Sequence, residues 1–304
     1  MMMKKILVIC GPTASGKSTL AVDLALKYGG QVISCDAMQI YRGMDIGTGK
    51  VGAEEMRGVR HRMLDIADPS ENFSLAGFID RARREIDETL TEGALPILCG
   101  GTGLYLDRLL DGTALSEATA DDNVRAELEK RTSEELFSEL LRVDPASAAA
   151  THQNNRKRVI RALEIYRVTG MPKSVWDERS HNAPPPYDAL RILLLPGDRQ
   201  ALYDRIDARV DAMFAAGLEN EARALFADSP STTAAQAIGY KEFLPYFAGE
   251  QSLDEVKNAI KQASRNYAKR QLTWFKRTDS VVIDCLLTEE EKIKEAERAV
   301  KEFL

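Results

Sequence analysis

Over the first third of the chain, short unbroken apolar runs alternate with stretches whose apolar residues recur at every third or fourth position. Residues 6–10, 32–35 and 97–99 are of the first kind and predict buried strands. Residues 18–28 place Leu20, Leu24 and Tyr28 on one face, and residues 73–90 repeat the pattern, so both predict amphipathic helices. This order calls for parallel strands joined by helical crossovers. Residues 191–195 and 281–285 offer further strands from the C-terminal half. The predicted fold class is α/β, a doubly wound parallel sheet.

Between these segments the texture changes. Residues 113–169 hold no glycine and a single proline and are rich in Ala, Glu, Leu and Arg, which favours helix throughout. Asp121 or Asp122 is the expected N-cap, Gly170-Met171-Pro172 the stop, and Ala183-Pro184-Pro185-Pro186 a stiff connector back to the sheet. The expected organisation is a discontinuous α/β core, residues 1–115 and 188–304, carrying a helical insertion domain at 116–187. The tail pairs Thr288 with Glu291 as a capping box and spaces Ile293, Ala296, Val300 and Phe303 along one face, the signature of a packed terminal helix.

Composition narrows the class. At 304 residues, 44% hydrophobic and 29% charged, the chain suits a globular protein with a real core. No apolar stretch nears the roughly 20 residues a membrane span needs, and the run at 6–10 is too short for a signal peptide, so no membrane association and a cytoplasmic location are expected. Cys10, Cys35, Cys99 and Cys285 form no CxxC pair and read as buried free thiols; His61, His152 and His181 lack metal-ligand spacing. Charge is uneven. Residues 257–277 hold seven basic residues and no acidic one, so the rest of the chain carries −13 against a total of −6. Lys257, Lys261, Arg265 and Lys269 fall at strict i, i+4 spacing, and such an unmixed positive stripe calls for a polyanion.

The chemistry concentrates behind the predicted strands. Gly11-Pro12-Thr13-Ala14-Ser15-Gly16-Lys17-Ser18 fits GxxxxGK[ST] between a strand and a helix. Backbone N–H groups there converge on an anion, the helix N-terminus and Lys17 add positive charge, and Ser18 can ligate magnesium. The loop thus predicts a diphosphate or triphosphate without naming the reaction. The second strand runs into Asp36, aimed at the same crevice. A carboxylate there could bind magnesium, cap the next helix or act as a general base, and the residues alone do not choose. Gly100-Gly101-Thr102-Gly103 follows the third strand and permits close backbone approach to a ligand. Neither 97–99 nor 193–195 ends in the second acidic residue usual in ATP-hydrolysing relatives, although Asp284 closes 281–283.

The ordered set GPTASGKS, SCDAMQIY, GGTGLY, NNRKRVIRALEIY, GLENEARAL, AIGYKEF and YAKRQLTWFKR resembles the tRNA dimethylallyltransferase family, also called tRNA isopentenyltransferase, from about residue 6 to residue 279. The resemblance implies transfer of a dimethylallyl group from dimethylallyl diphosphate to N6 of adenosine-37 in the tRNA anticodon loop. It implies a P-loop type fold, Mg2+ held by Ser18, and a diphosphate cradle formed by Gly11, Pro12, Thr13, Ala14, Ser15, Gly16, Lys17 and Ser18 with Arg223, Lys241 being a further candidate. Thr13 and Lys17 would stabilise the leaving diphosphate, and Asp36 would be the base. Asp36, Ala37, Met38, Gln39 and Thr102 would meet the tRNA, together with Arg125, Lys157, Arg158, Val159, Ile160 and Arg161. A monomer with no obligate protein partner is expected. Residues 116–122 lack the family's proline-containing run, and a bacterial-type enzyme, without the eukaryotic zinc-finger extension, is expected. A small-molecule kinase or an RNA-binding P-loop switch would share the phosphate loop, but neither uses all of the other motifs.

Overall fold

The computed structural model describes residues 3–112, 121–181 and 184–304. Two compact units divide the chain: Met1–Leu109 with Tyr187–Leu304, and Leu110–Pro186. The expected boundary at 115/116 and the missing proline run at 116–120 lie outside the described residues, as do Asn182 and Ala183 of the connector.

The first unit begins β1 (Lys4–Cys10), α1 (Lys17–Tyr28), β2 (Gly30–Ser34), α2 (Ala53–Met56), β3 (His61–Arg62), α3 (Leu75–Thr91), β4 (Leu95–Gly100) and α4 (Gly103–Leu110). The second unit holds α5 (Asp122–Glu129), α6 (Ser133–Val143), α7 (Pro145–Ala149), α8 (Arg156–Thr169) and α9 (Lys173–His181). The first unit resumes with β5 (Tyr187–Leu195), α10 (Arg199–Ala215), α11 (Leu218–Ala227) and α12 (Thr232–Ala235). A 3-10 turn (Lys241–Phe243), α13 (Leu244–Phe247), α14 (Leu253–Phe275), β6 (Val281–Asp284) and α15 (Glu289–Phe303) complete it.

All six strands are parallel, in the order β3-β2-β4-β1-β5-β6. The earlier strands β2, β3 and β4 lie on one side of β1 and the later β5 and β6 on the other, so the carboxyl end of β1 is the point where the winding reverses and a ligand crevice opens. Register brings the relevant ends level: Cys10 pairs with Gly100, and Ser34 with Cys99. The loops after β1, β2 and β4 therefore leave one edge of the sheet together.

Strand β1 reads as an unbroken apolar run because helices cover both faces of a parallel sheet. Ile6, Leu7, Val8 and Ile9 are fully buried, each contributing about 1.5–3 kcal/mol of burial. One face packs on α1 and α15 through Leu20, Leu24, Ala296 and Val300. A second apolar cluster joins Ile40, Tyr41 and Met44 to Val210, Leu218, Tyr240, Phe243 and Ile260. It fixes α10, α11 and α14 against the segment that follows β2.

Among the described residues the second unit is built of five short helices. Thr132 caps α6 with a capping box, Asp144 caps α7, and Asn155 caps α8. Asp121, not Asp122, is the N-cap of α5. Leu128, Leu136, Leu140, Val159, Ile160 and Leu163 form this unit's own core.

Candidate active site

The phosphate loop spans the gap between the end of β1 and Lys17, the first residue of α1. Its last residue before the helix, Gly16, sits at φ 82°, where a side chain would be strained and its Cβ would lie 3.0 Å from Lys292 Nζ. Ala14 also occupies the left-handed region, at φ 62°. Such backbone costs on the order of 1–3 kcal/mol and persists where the surroundings over-determine it. Ser15 is fully buried, and its Oγ has no hydrogen-bond partner among the described residues. An orphaned hydroxyl inside a turn of N–H groups is the kind of atom a bound anion satisfies. Lys17 Nζ donates to Pro12 O at 3.4 Å. Burial pulls its ammonium below the ordinary lysine range, and nearby Arg209 adds to the fall.

Asp36 follows β2. Its Oδ1 accepts from Met38 N at 2.9 Å and Gln39 N at 3.4 Å, so one oxygen holds the turn. Its Oδ2 accepts no hydrogen bond among the described residues. Among the described residues no helix follows before α2 at Ala53, so the helix-cap reading is corrected: one oxygen holds a turn, and the other is available to a metal or a proton. Thr102 Oγ1 accepts from Ala37 N at 3.4 Å and ties the loop after β4 to the loop after β2. Gln39 Oε1 accepts from Ser34 Oγ at 3.0 Å, while its Nε2 donates to Thr48 O and Gly49 O at 3.4 and 3.3 Å.

A cavity of about 410 Å³ unites these groups: Thr13, Lys17, Ser18, Asp36, Ala37, Met38, Gln39 and Thr102 all line it. Its other wall comes from helices far along the sequence, as Arg209, Lys241, Tyr267, Arg270 and Gln271. Among the described residues, four basic side chains, Lys17, Arg209, Lys241 and Arg270, thus share the cavity with one carboxylate. Buried Gln271 bridges two loops, its Oε1 accepting from Thr13 N at 3.0 Å and its Nε2 donating to Gly101 O at 2.9 Å. A Cβ on Gly101 would lie 2.3 Å from that nitrogen, which is why glycine stands there. Burial, and then the Asp36 charge, push the Tyr267 phenol up to about 12, so it stays a neutral donor beside Asp36. Ala14 and Gly16 border a neighbouring cleft of about 620 Å³ that shares Lys17, Ser18, Gly49 and Arg209 with the first.

Three expectations need correction. Arg223 lies outside the cavity: it pairs with Glu219 at 2.8 Å and stacks on the Phe247 ring 4.6 Å away. An arginine that does line the cavity is half-buried Arg209, on α10, whose guanidinium donates to Gly49 O at 3.3 Å. Burial lowers its pKa and the Asp36 charge opposes the fall. Sequence reasoning misses it because nothing around it departs from an ordinary amphipathic helix. Next, Val159 and Ile160 are buried in the core of their own unit. Helical periodicity leaves Lys157 and Arg158 exposed and Arg161 half-buried, with Arg161 and Arg125 lying 2.9 and 3.6 Å from the buried Glu164 carboxylate. Last, the positive stripe is not unmatched. Lys257 and Lys261 pair with Asp211 at 2.7 and 2.8 Å, and Arg265 with Asp207 at 2.5 Å, so the opposite sign comes from α10. Lys269, Lys276 and Arg277 remain exposed. Asp284 accepts from Gly197 N and Leu286 N and holds a turn at the sheet edge.

Fold and site together define an α/β protein of P-loop type in which, among the described residues, one carboxylate, Asp36, shares a cavity with four basic side chains. A family model described as IPP transferase matches residues 39–278. The chain is 49% identical over 280 residues to a tRNA dimethylallyltransferase of Geobacillus kaustophilus, covering 90% of this chain and 88% of that one. It is 45% identical over 285 residues to one of Acetivibrio thermocellus, covering 92% and 91%. Among solved structures it resembles the full-length tRNA isopentenylpyrophosphate transferase of Bacillus halodurans, with TM-score 0.74, 42% identity, and coverage of 99% and 96%. It also resembles a eukaryotic dimethylallyltransferase acting on tRNA, with TM-score 0.84, 30% identity, and coverage of 98% and 78%. The chain belongs to the IPP transferase family, whose curated relatives are tRNA dimethylallyltransferases, and is a prenyl-transferring enzyme. Among its described residues, no helix is long and apolar enough to cross a membrane.

Proposed function

We propose that this chain transfers a dimethylallyl group from dimethylallyl diphosphate to N6 of adenosine-37 in the anticodon loop of tRNA, releasing diphosphate. The observation that carries the reading is the shared cavity, in which Asp36 Oδ2 has no hydrogen-bond partner among the described residues and Thr13, Lys17 and Arg209 supply the donors. Its volume of about 410 Å³ falls within the range of small-ligand sites, roughly 300–1,000 Å³.

In the reaction the bond from N6 to the prenyl C1 forms as the C1–oxygen bond breaks, and diphosphate leaves with the electron pair. The amine is a poor nucleophile because its lone pair is delocalised into the ring. Asp36 accepts the N6 proton, a role worth roughly 10²–10⁴-fold. Loop N–H groups, Lys17 and Arg209 hold the charge that grows on the leaving group, an effect that low dielectric strengthens. Gln39 and Thr102 orient the base. An anticodon-loop nucleotide is already unstacked enough to be received this way.

A divalent cation, Mg2+, suits the donor set. Ser18 presents a hydroxyl oxygen to the same cavity. A cation with few protein ligands and several phosphate oxygens is the usual magnesium arrangement; when bound it neutralises charge on the departing diphosphate. In the second unit, Lys157, Arg158, Arg161 and Arg125 are offered to the tRNA backbone. A cytoplasmic monomer completes the reading. The test is purified protein with unmodified tRNA and either labelled dimethylallyl diphosphate or ATP. Label entering tRNA from the first alone supports the transferase, and phosphate release from ATP without prenylation supports a kinase.

A further inference from the structure

The loop that supplies Thr48 and Gly49 to the cavity is held from outside by one side chain. Glu221, on α11, does not line the cavity, yet its carboxylate accepts four hydrogen bonds. Oε2 accepts from Asp45 N at 3.0 Å and Ile46 N at 2.8 Å; Oε1 accepts from Gly47 N at 2.9 Å and the Tyr240 hydroxyl at 2.6 Å. Three consecutive backbone N–H groups converging on one anion make a nest, here filled by the chain itself. Fully buried Tyr240 closes the other side, so near Gly47 that a Cβ would lie 2.6 Å from its ring.

The next two residues carry the consequence. Thr48 O and Gly49 O accept from Gln39 Nε2, and Gly49 O also accepts from Arg209. The side chain offered to adenine and the cation offered to diphosphate therefore meet at one carbonyl, Gly49 O, with Gln39 held by Thr48 O as well. We infer that Glu221 is a positioning residue for prenyl transfer: by fixing the N–H groups of residues 45–47 it sets the two carbonyls that aim Gln39 and Arg209. This rests on the functional reading above, and it assigns the GLENEARAL segment a carboxylate that acts at one remove.

The chemistry makes the test selective. Glutamine is isosteric, but its amide nitrogen would face two donors, so Glu221→Gln breaks half of the clamp without opening a cavity. Three measurements follow. Amide hydrogen exchange at 45–47 should accelerate at least about tenfold, while exchange within β1 and β4 stays unchanged. Affinity for inorganic diphosphate should fall about tenfold, the effect of one charge-assisted hydrogen bond. The loss in kcat/KM for the prenyl donor should be strongly non-additive with Arg209→Gln, because both act on the same contact. Tyr240→Phe removes one of the four bonds and should give the same signature more weakly, should the first variant fail to fold. Unchanged exchange at 45–47, or full additivity with Arg209→Gln, would overturn the inference. If the wild-type chain bound diphosphate and lost that binding in Glu221→Gln yet transferred no prenyl group, the clamp would stand and the proposed reaction would fall.

Discussion

The two walls of the cavity are built in opposite ways. One is made of loops leaving the sheet and the first turn of α1, where Thr13, Lys17, Ser18, Asp36 and Thr102 sit within eight residues of a strand end and inherit their placement from parallel register. The other is made of side chains from α10 and α14, Arg209, Tyr267, Arg270 and Gln271, placed by packing of helices that the chain reaches only after the insertion. Gln271 joins the two walls by bonding to both Thr13 N and Gly101 O. Loop geometry confers the chemistry on the first wall; helix packing confers charge and shape on the second.

Substitutions on the two walls should accordingly differ in kind. The largest effect is expected at Lys17: Lys17→Ala removes the main charge on the leaving group and should lower kcat/KM for the prenyl donor about 10²–10³-fold, read by steady-state kinetics at saturating tRNA. Next comes Arg209→Gln, which should raise the KM for dimethylallyl diphosphate about tenfold, while Arg223→Gln stays within about twofold. Equal losses at the two arginines would erase the distinction between a cation in the cavity and one stacked on Phe247. The smallest effect concerns tRNA affinity across a salt series. Neutralising Lys276 and Arg277 should reduce the log–log slope by roughly 0.7–0.9 for each tRNA phosphate that these side chains neutralise. Neutralising Lys261 and Arg265, already paired with Asp211 and Asp207, should leave the slope unchanged. A reversed ranking would return the polyanion role to the paired stripe.

What the linear chain reveals follows the same division. The strands, the phosphate loop and Asp36 are legible because each is a contiguous pattern whose physics is local. The strand at 191–195 starts earlier than its apolar run, at Tyr187, because pairing with β1 extends through the mixed residues Tyr187–Leu190. The two residues of β3 carry no readable pattern of their own and are strand only by pairing with Val32 and Ile33. In the GLENEARAL segment the family resemblance points to Arg223 and leaves Glu221 unremarked. Two positions apart on a helix is about 200° of rotation, so the two residues face nearly opposite directions. The i, i+4 stripe on α14 is a true pattern, but its partners Asp207 and Asp211 are a second i, i+4 pair on another helix, and no single-helix reading contains them.

The central claim is that one cavity brings a proton acceptor and a diphosphate cradle to the same nucleobase amine. Single-turnover prenyl transfer by Asp36→Asn, with tRNA and donor binding measured separately, tests it most directly. The substitution keeps the shape and the turn-holding oxygen while removing the base. The account predicts a chemical step slower by at least about 10²-fold with both affinities nearly unchanged; a rate within about threefold of wild type, or a loss confined to binding, would contradict it.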